Sequence, residues 1–336
     1  MRVMSRAMLA FAALLTVAAG ALAAVEGDVR DGFRRPTVIP FPEGAPYSPQ
    51  AAALGKLLFF DPRLSGAQNL SCASCHNPSF GWEVPVPRAL GSLAVELQRH
   101  VPTVENLAEA PRLTWDGRQT SIEQQVLSPI VHPDEMNATM EQVIDRLLRI
   151  PKYRKAFRTA FPGEGLVAEN VVASLATYVR TLRSGWSPFD DWVAGDEDAI
   201  SAAAKRGFEF FIGEGGCAAC HAGWAFTDHR FYDIGLDTND PGRAGVDDSE
   251  PAGRRAFKTP GLRNIALRAP YMHNGSQSDL VGVLHHYRNG GASDLGRQVD
   301  IAPVRIPLMA EMELIAFLKT LTAYDAHVSQ PSLPVK

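Results

Sequence analysis

Two copies of one five-residue motif constrain this chain more than any other feature. They are CASCH (Cys72, Cys75, His76) and CAACH (Cys217, Cys220, His221), and together they account for all four cysteines. Cys-x-x-Cys-His is the attachment signature of c-type haem. Two thiols about one helical turn apart reach the two vinyl groups of one porphyrin, and the next residue swings its imidazole under the iron as proximal ligand. A zinc site or a redox-active dithiol are the alternatives for a single motif. Two copies with no spare cysteine argue against both. Two covalently attached c-type haems are expected, in a 336-residue chain long enough for two domains.

The N-terminus reads as a leader. MRVMSR is basic, AMLAFAALLTVAAG is apolar and ALAA offers small residues for cleavage near Ala23 or Ala24. A signal peptide over residues 1–24 and export to a bacterial-type periplasm are expected; a retained membrane anchor is the alternative, with an apolar run short for a span. A formal charge of −4 carries no sign of nucleic-acid binding or of a polybasic membrane patch.

Helical periodicity dominates the rest. SPQAAALGKLLFF, MEQVIDRLLRI, VAENVVASLATYVRTLR, AISAAAKRGFEFF, SDLVGVLHHY and MAEMELIAFLKTL carry apolar residues three and four apart. FPEGAPYSP and NDPGRAGVDDSEPAG mark loops. The expectation is an all-α fold of two cytochrome c-like haem domains made by internal duplication. LGKLLFF before the first haem motif is echoed by KRGFEFF before the second. PTVENLAEAPRLTWDG (Pro102 to Gly117) is echoed by PGLRNIALRAPYMHNG (Pro260 to Gly275). The domains are expected over residues 25–190, with the first haem, and 191–336, with the second. The linker SGWSPFDDWVAGDEDA lies between them.

Counting onward from the two glycines, RQTSIEQQVLSP and SQSDLVGVLHHY align without a gap. Pro129 then stands where the second half has Tyr287. Proline has no donor atom for iron. Equivalent placement over the two haems would cap the second iron, held by His221, with a phenol, and leave the first, held by His76, open to peroxide. The alternative makes Tyr287 a core aromatic, with His285 or Met272 as sixth ligand.

These residues resemble the bacterial di-haem cytochrome c peroxidases, and within them the MauG-like branch. The resemblance runs from about Leu54 to Tyr324 and rests on LGKLLFFDPRLS, both haem motifs, WDGR, EQQVLSPI, LRNIALRAPYMHNG and HYRNGG. It implies a tyrosine ligand at Tyr287, where the peroxidase branch has methionine. Phenolate is hard and anionic and favours ferric and higher oxidation states. It implies Gln125 and Glu135 as the polar pair over the peroxide-binding haem, with the carboxylate moving a proton between peroxide oxygens. Trp115 matches a tryptophan placed between the haems as an electron relay. Ser92 stands where many relatives carry a haem-capping loop histidine, so the first haem is expected to be permanently open, with nearby His100 as a substitute cap.

A calcium ion is a further possible cofactor. His100 occupies the position of its usual Asn ligand, and the carbonyls of Arg268 and Pro270 are the other protein ligands; imidazole is a poor partner for calcium. The implied activity is peroxide-dependent oxidation of a periplasmic partner protein, with oxidising equivalents shared between the haems. Rival readings are a peroxidase taking electrons from a small cytochrome c or cupredoxin, and a non-catalytic di-haem electron carrier.

Overall fold

The computed structural model describes residues 28–246, 253–291, 299–325 and 328–335, so the expected leader lies outside the described residues. Helices dominate, as the periodicity predicts. The first half holds α1 (Pro49–Phe59), the single turn α2 (Cys72–Cys75), α3 (Ile122–Val131), α4 (Met140–Leu148), α5 (Pro151–Ala160) and α6 (Ala168–Thr181). The second holds α7 (Pro188–Ala194), α8 (Ala202–Ile212), α9 (Leu280–Arg288) and α10 (Leu308–Lys319). Among the described residues the one sheet is a two-residue antiparallel pair, β1 (Phe231–Tyr232) on β2 (Phe257–Lys258).

Each half builds its own apolar core. Leu58, Leu64, Ile130, Tyr153, Phe157 and Leu175 centre the first. Phe189, Phe208, Phe226, Leu314 and Phe317 centre the second. The halves exchange their ends. Phe33 packs with Phe189, Phe208 and Phe226 in the second core, while Val328 and Leu333 lie against the first. Helix α7, which straddles the 190/191 boundary, contributes Phe189 and Trp192 to the second core.

The duplication is structural. Helix α1 packs on α6 as α8 packs on α10. Both crossings need a glycine: a Cβ on Gly55 would stand 1.9 Å from the Ser174 carbonyl oxygen, and one on Gly207 would stand 2.0 Å from that of Glu313. These glycines set the helix register. They pair Phe59 with Phe211, one residue away from the match obtained by laying LGKLLFF on KRGFEFF.

Downstream the repeat is kept residue for residue. Asn106 and Asn264 are both left-handed (φ 60° and 58°), as are Thr114 and Met272, and Gly117 and Gly275. The Leu113–Gln119 bridge recurs as Tyr271–Gln277. Asn106 accepts from the Ser184 amide at 3.0 Å and Asn264 from the Ala323 amide at 2.9 Å, so each asparagine fastens the end of its half's last helix.

The halves meet about a pseudo-twofold axis, with equivalent residues making reciprocal contacts. The His100 amide donates to the His273 carbonyl at 2.7 Å, and the Lys258 amide to the Trp115 carbonyl at 2.7 Å. His100 and Lys258 are equivalent in the repeat, as are Trp115 and His273, whose rings touch edge-on at 6.4 Å. The Arg99 guanidinium lies over Phe257, its own counterpart, at 5.4 Å. Replacing either Gly55 or Gly207 by alanine is expected to force its helix pair apart. Each change should cost about 1–3 kcal/mol, read as a lower midpoint in thermal unfolding of the holoprotein, with similar losses for the two variants.

Candidate active site

Both haem motifs form one turn of chain ending in a histidine. The His76 amide donates to the Cys72 carbonyl at 2.8 Å and the His221 amide to the Cys217 carbonyl at 2.9 Å. No disulfide links the cysteines. Burial pushes the thiols of Cys75 and Cys217 up to about 11 and that of Cys72 to about 12.

Each imidazole is aimed by a backbone carbonyl. His76 Nδ1 lies 3.1 Å from the Trp82 oxygen and His221 Nδ1 2.9 Å from that of Phe226. A carbonyl can only accept, so Nδ1 carries the proton and Nε2 keeps its lone pair for a metal. Burial also holds both imidazoles below their ordinary pKa, in the neutral form a ligand requires. The two carbonyls point inward because Trp82 (φ 64°) and Phe226 (φ 56°) both adopt the left-handed conformation. For bulky side chains that conformation is strained. Both rings are buried, at 3% and 0% exposure, so apolar packing holds the strained turn closed. Sequence reasoning missed these two residues. Their only signal is an aromatic five or six positions after each motif histidine.

The far side of the first site is polar. Gln125 projects from α3 into a cavity also lined by His76, Trp115, Leu113 and Val104. Its Oε1 is buried with no hydrogen-bond partner, an orphan acceptor of the kind that marks a ligand position. Glu135 follows α3 in the next turn. Burial raises its carboxyl above the ordinary value, and its charge bears on Cys72 and Cys75, which places it beside the first motif. Ser92 holds this turn, its amide donating to the Glu135 carbonyl at 2.8 Å.

His100 is not available as a substitute cap. Its Nε2 lies 3.1 Å from Glu83 Oε2, and its Nδ1 faces the carbonyls of Val86 and Pro87 at 3.2 and 3.1 Å. Both ring nitrogens are thus engaged inside the protein, so His100 presents no free donor atom toward a calcium ion. Glu83 also accepts from Arg268 Nε at 2.7 Å, closing a buried Arg268–Glu83–His100 cluster across the domain boundary.

In the second half Tyr287 lies on α9 with its phenol raised by burial and by the nearby thiols of Cys217 and Cys220. Its neighbours are committed elsewhere. His286 Nε2 is 2.7 Å from the Ile234 carbonyl. His285 is half-exposed, with Nε2 3.4 Å from Glu311. Trp115 lines the first cavity, and its indole N–H donates to the His100 carbonyl at 2.8 Å. The free thiol pairs, the two pre-aimed Nε2 atoms and the orphan Gln125 acceptor together fit a pair of covalently held haems.

Comparison with known proteins agrees. The family model for di-haem cytochrome c peroxidases matches residues 49–198. The chain is 48% identical to the methylamine utilization protein MauG of Methylorubrum extorquens over 305 residues, 90% of this chain and 86% of that one. It is 40% identical to MauG of Methylophilus methylotrophus, over 91% and 92% of the two chains. Cytochrome c551 peroxidase of Pseudomonas aeruginosa is more distant, at 35% over 87% and 84%. The crystal structure of a MauG-like protein associated with microbial copper homeostasis superposes with a TM-score of 0.80, at 28% identity, over 87% of this chain and 95% of that one. The chain therefore belongs to the di-haem cytochrome c peroxidase family, and within it is a MauG-like peroxidase-type oxidoreductase with two c-type haems.

Proposed function

We propose that this oxidoreductase acts in the periplasm, reduces hydrogen peroxide at the His76 site and draws its electrons from a partner protein. The observation that supports this most is asymmetry. A half-buried carboxyl and an orphan amide oxygen stand near the first motif, while a half-buried phenol stands near the second. His76 with Cys72 and Cys75 would hold one haem, and His221 and Tyr287 with Cys217 and Cys220 the other. The haems supply the redox chemistry by which two electrons and two protons turn one peroxide into two waters.

The remaining roles belong to side chains. Gln125 Oε1 accepts a hydrogen bond from the bound peroxide and so orients it. Glu135, as carboxylate, takes the proton from the inner oxygen and returns it to the outer one. Pro129 has no donor and keeps the approach to the first site free. Trp115, lining the first cavity and bonded through its carbonyl to Lys258 of the second half, is the electron relay. The protein partner replaces the electrons at the surface, because Tyr287 closes the second site to small reductants.

Glu135→Gln should slow the stopped-flow reaction with peroxide by about 10²–10⁴-fold without loss of haem. Because the base must be ionised, the wild-type rate should fall on acidification through a pKa above the ordinary carboxyl value of about 4.3. The glutamine variant should lose that acid limb, and an unchanged pH profile would exclude Glu135 as the proton carrier. Tyr287→Phe should convert the ferric paramagnetic resonance spectrum from one high-spin and one low-spin centre to two high-spin centres. A retained low-spin component would show that another residue caps the second iron.

A further inference from the structure

The pseudo-twofold relation leaves one charge unbalanced. His100 and Lys258 are equivalent, and each bonds through its amide to the carbonyl of the other half's Trp115-type residue. His100 has its own carboxylate, Glu83, 3.1 Å away. Counting from the equivalent carbonyl residues Trp82 and Phe226, the second half has Thr227 where the first has Glu83. Thr227 turns its hydroxyl to the Thr259 carbonyl at 2.7 Å. The Lys258 ammonium therefore has no ion-pair partner among the described residues, and the hydrogen bond it makes there is a long one, 3.3 Å, to the Thr259 carbonyl.

Lys258 lines the same cavity as His76, Trp115 and Gln125. Surrounding protein desolvates its ammonium and pulls it down to about 8. His229 lines the cavity beside it with a buried Nδ1 that has no hydrogen-bond partner. Of the other charged lining groups, Arg268 is paired with Glu83 at 2.7 Å and Glu105 accepts from Asn264 at 2.8 Å, while Arg263 is paired with Asp190 at 2.9 Å through Nη1 and keeps a buried Nη2 without a hydrogen-bond partner. A buried, unpaired cation is costly, and an anion beside it removes that cost.

The cavity is shared by the two halves. Its first-domain lining sets Val104, Leu107 and Leu113 beside the polar Glu105 and Gln125, and its second-domain lining carries Lys258, His229 and Thr227. Cys72 packs against the first core and Cys75 against the small Val84–Ala89–Val101 cluster, so the thioether edge of a haem lies in the first domain. The propionate edge is the opposite edge of the macrocycle. We propose that Lys258 and His229 form the anion-binding point that receives a propionate of the first-domain haem, so that the second domain supplies the counter-ion for the first domain's cofactor. Lys258 then ties Trp115 by its amide and the haem by its ammonium, and its charge sets the affinity of that haem for an electron. This rests on haem attachment at Cys72 and Cys75 and not on the role proposed for Glu135; the reading of the high-spin haem as the first-domain one rests on the proposed capping of the second iron by Tyr287.

The test is a spectroscopic redox titration of the holoprotein carrying Lys258→Met, Lys258→Gln or Lys258→Arg, with resonance Raman spectra of each. Removing the cation should lower the midpoint potential of the high-spin haem and shift its propionate-bending band in the methionine and glutamine variants. The low-spin haem should be unchanged, and the arginine variant should stay close to wild type. The glutamine variant keeps a polar head and carries the test if the methionine variant fails to mature. Midpoints and propionate bands equal to wild type in a neutral variant with both haems attached would overturn the proposal. A normal absorption spectrum with both haems separates that outcome from a failure of haem attachment.

Discussion

Everything placed around the two haem motifs follows from how each motif histidine is held. An imidazole at the end of one helical turn can rotate freely unless its second nitrogen is fastened. Here the fastening is a carbonyl, supplied by Trp82 for His76 and by Phe226 for His221. Each carbonyl is turned inward by a left-handed aromatic residue whose ring is locked in a core. Hydrophobic burial thus sustains a strained backbone, and the backbone selects the tautomer and direction of the ligand. With Nε2 aimed, the positions of Gln125, Glu135 and Tyr287 relative to the metal sites follow from packing of α3 and α9 on the same two cores.

Duplication explains why the two sites share this device, and divergence explains why they differ in use. The crossing glycines, the left-handed asparagines and the reciprocal amide–carbonyl bonds are common to both halves. Three of the equivalent pairs that differ bear on the sites: Pro129 against Tyr287, Glu83 against Thr227, and His100 against Lys258. Each alters what the position can donate or what charge it carries. A symmetric scaffold can in this way present two sites of different chemical character.

Much of this was legible in the chain. The haem motifs depend on local spacing, and the six helices with clear periodicity formed where expected. The repeat from Pro102 and Pro260 was readable because left-handed turns demand particular residues at particular spacings. The likeness of LGKLLFF to KRGFEFF left their register open. String similarity follows the paired phenylalanines, whereas the helices follow the glycines that let them touch. His100 was read as a substitute cap from its nearness to Ser92 in the chain, and as standing at a calcium-ligand position from the family resemblance. Its ring faces Glu83 and two carbonyls instead, which a linear sequence cannot show because those acceptors arrive from a separate loop.

The sequence by itself determined the number of haems, the helical class, the internal repeat and the residues in which the halves differ, because each depends on short-range spacing or on residue type. Only the tertiary structure decided which carbonyls aim the histidines, which buried groups lack partners and how the halves interlock. Those outcomes depend on contacts between residues far apart in the chain, such as Glu83 with Arg268 and Trp115 with Lys258. Their partners become neighbours only when both cores have formed.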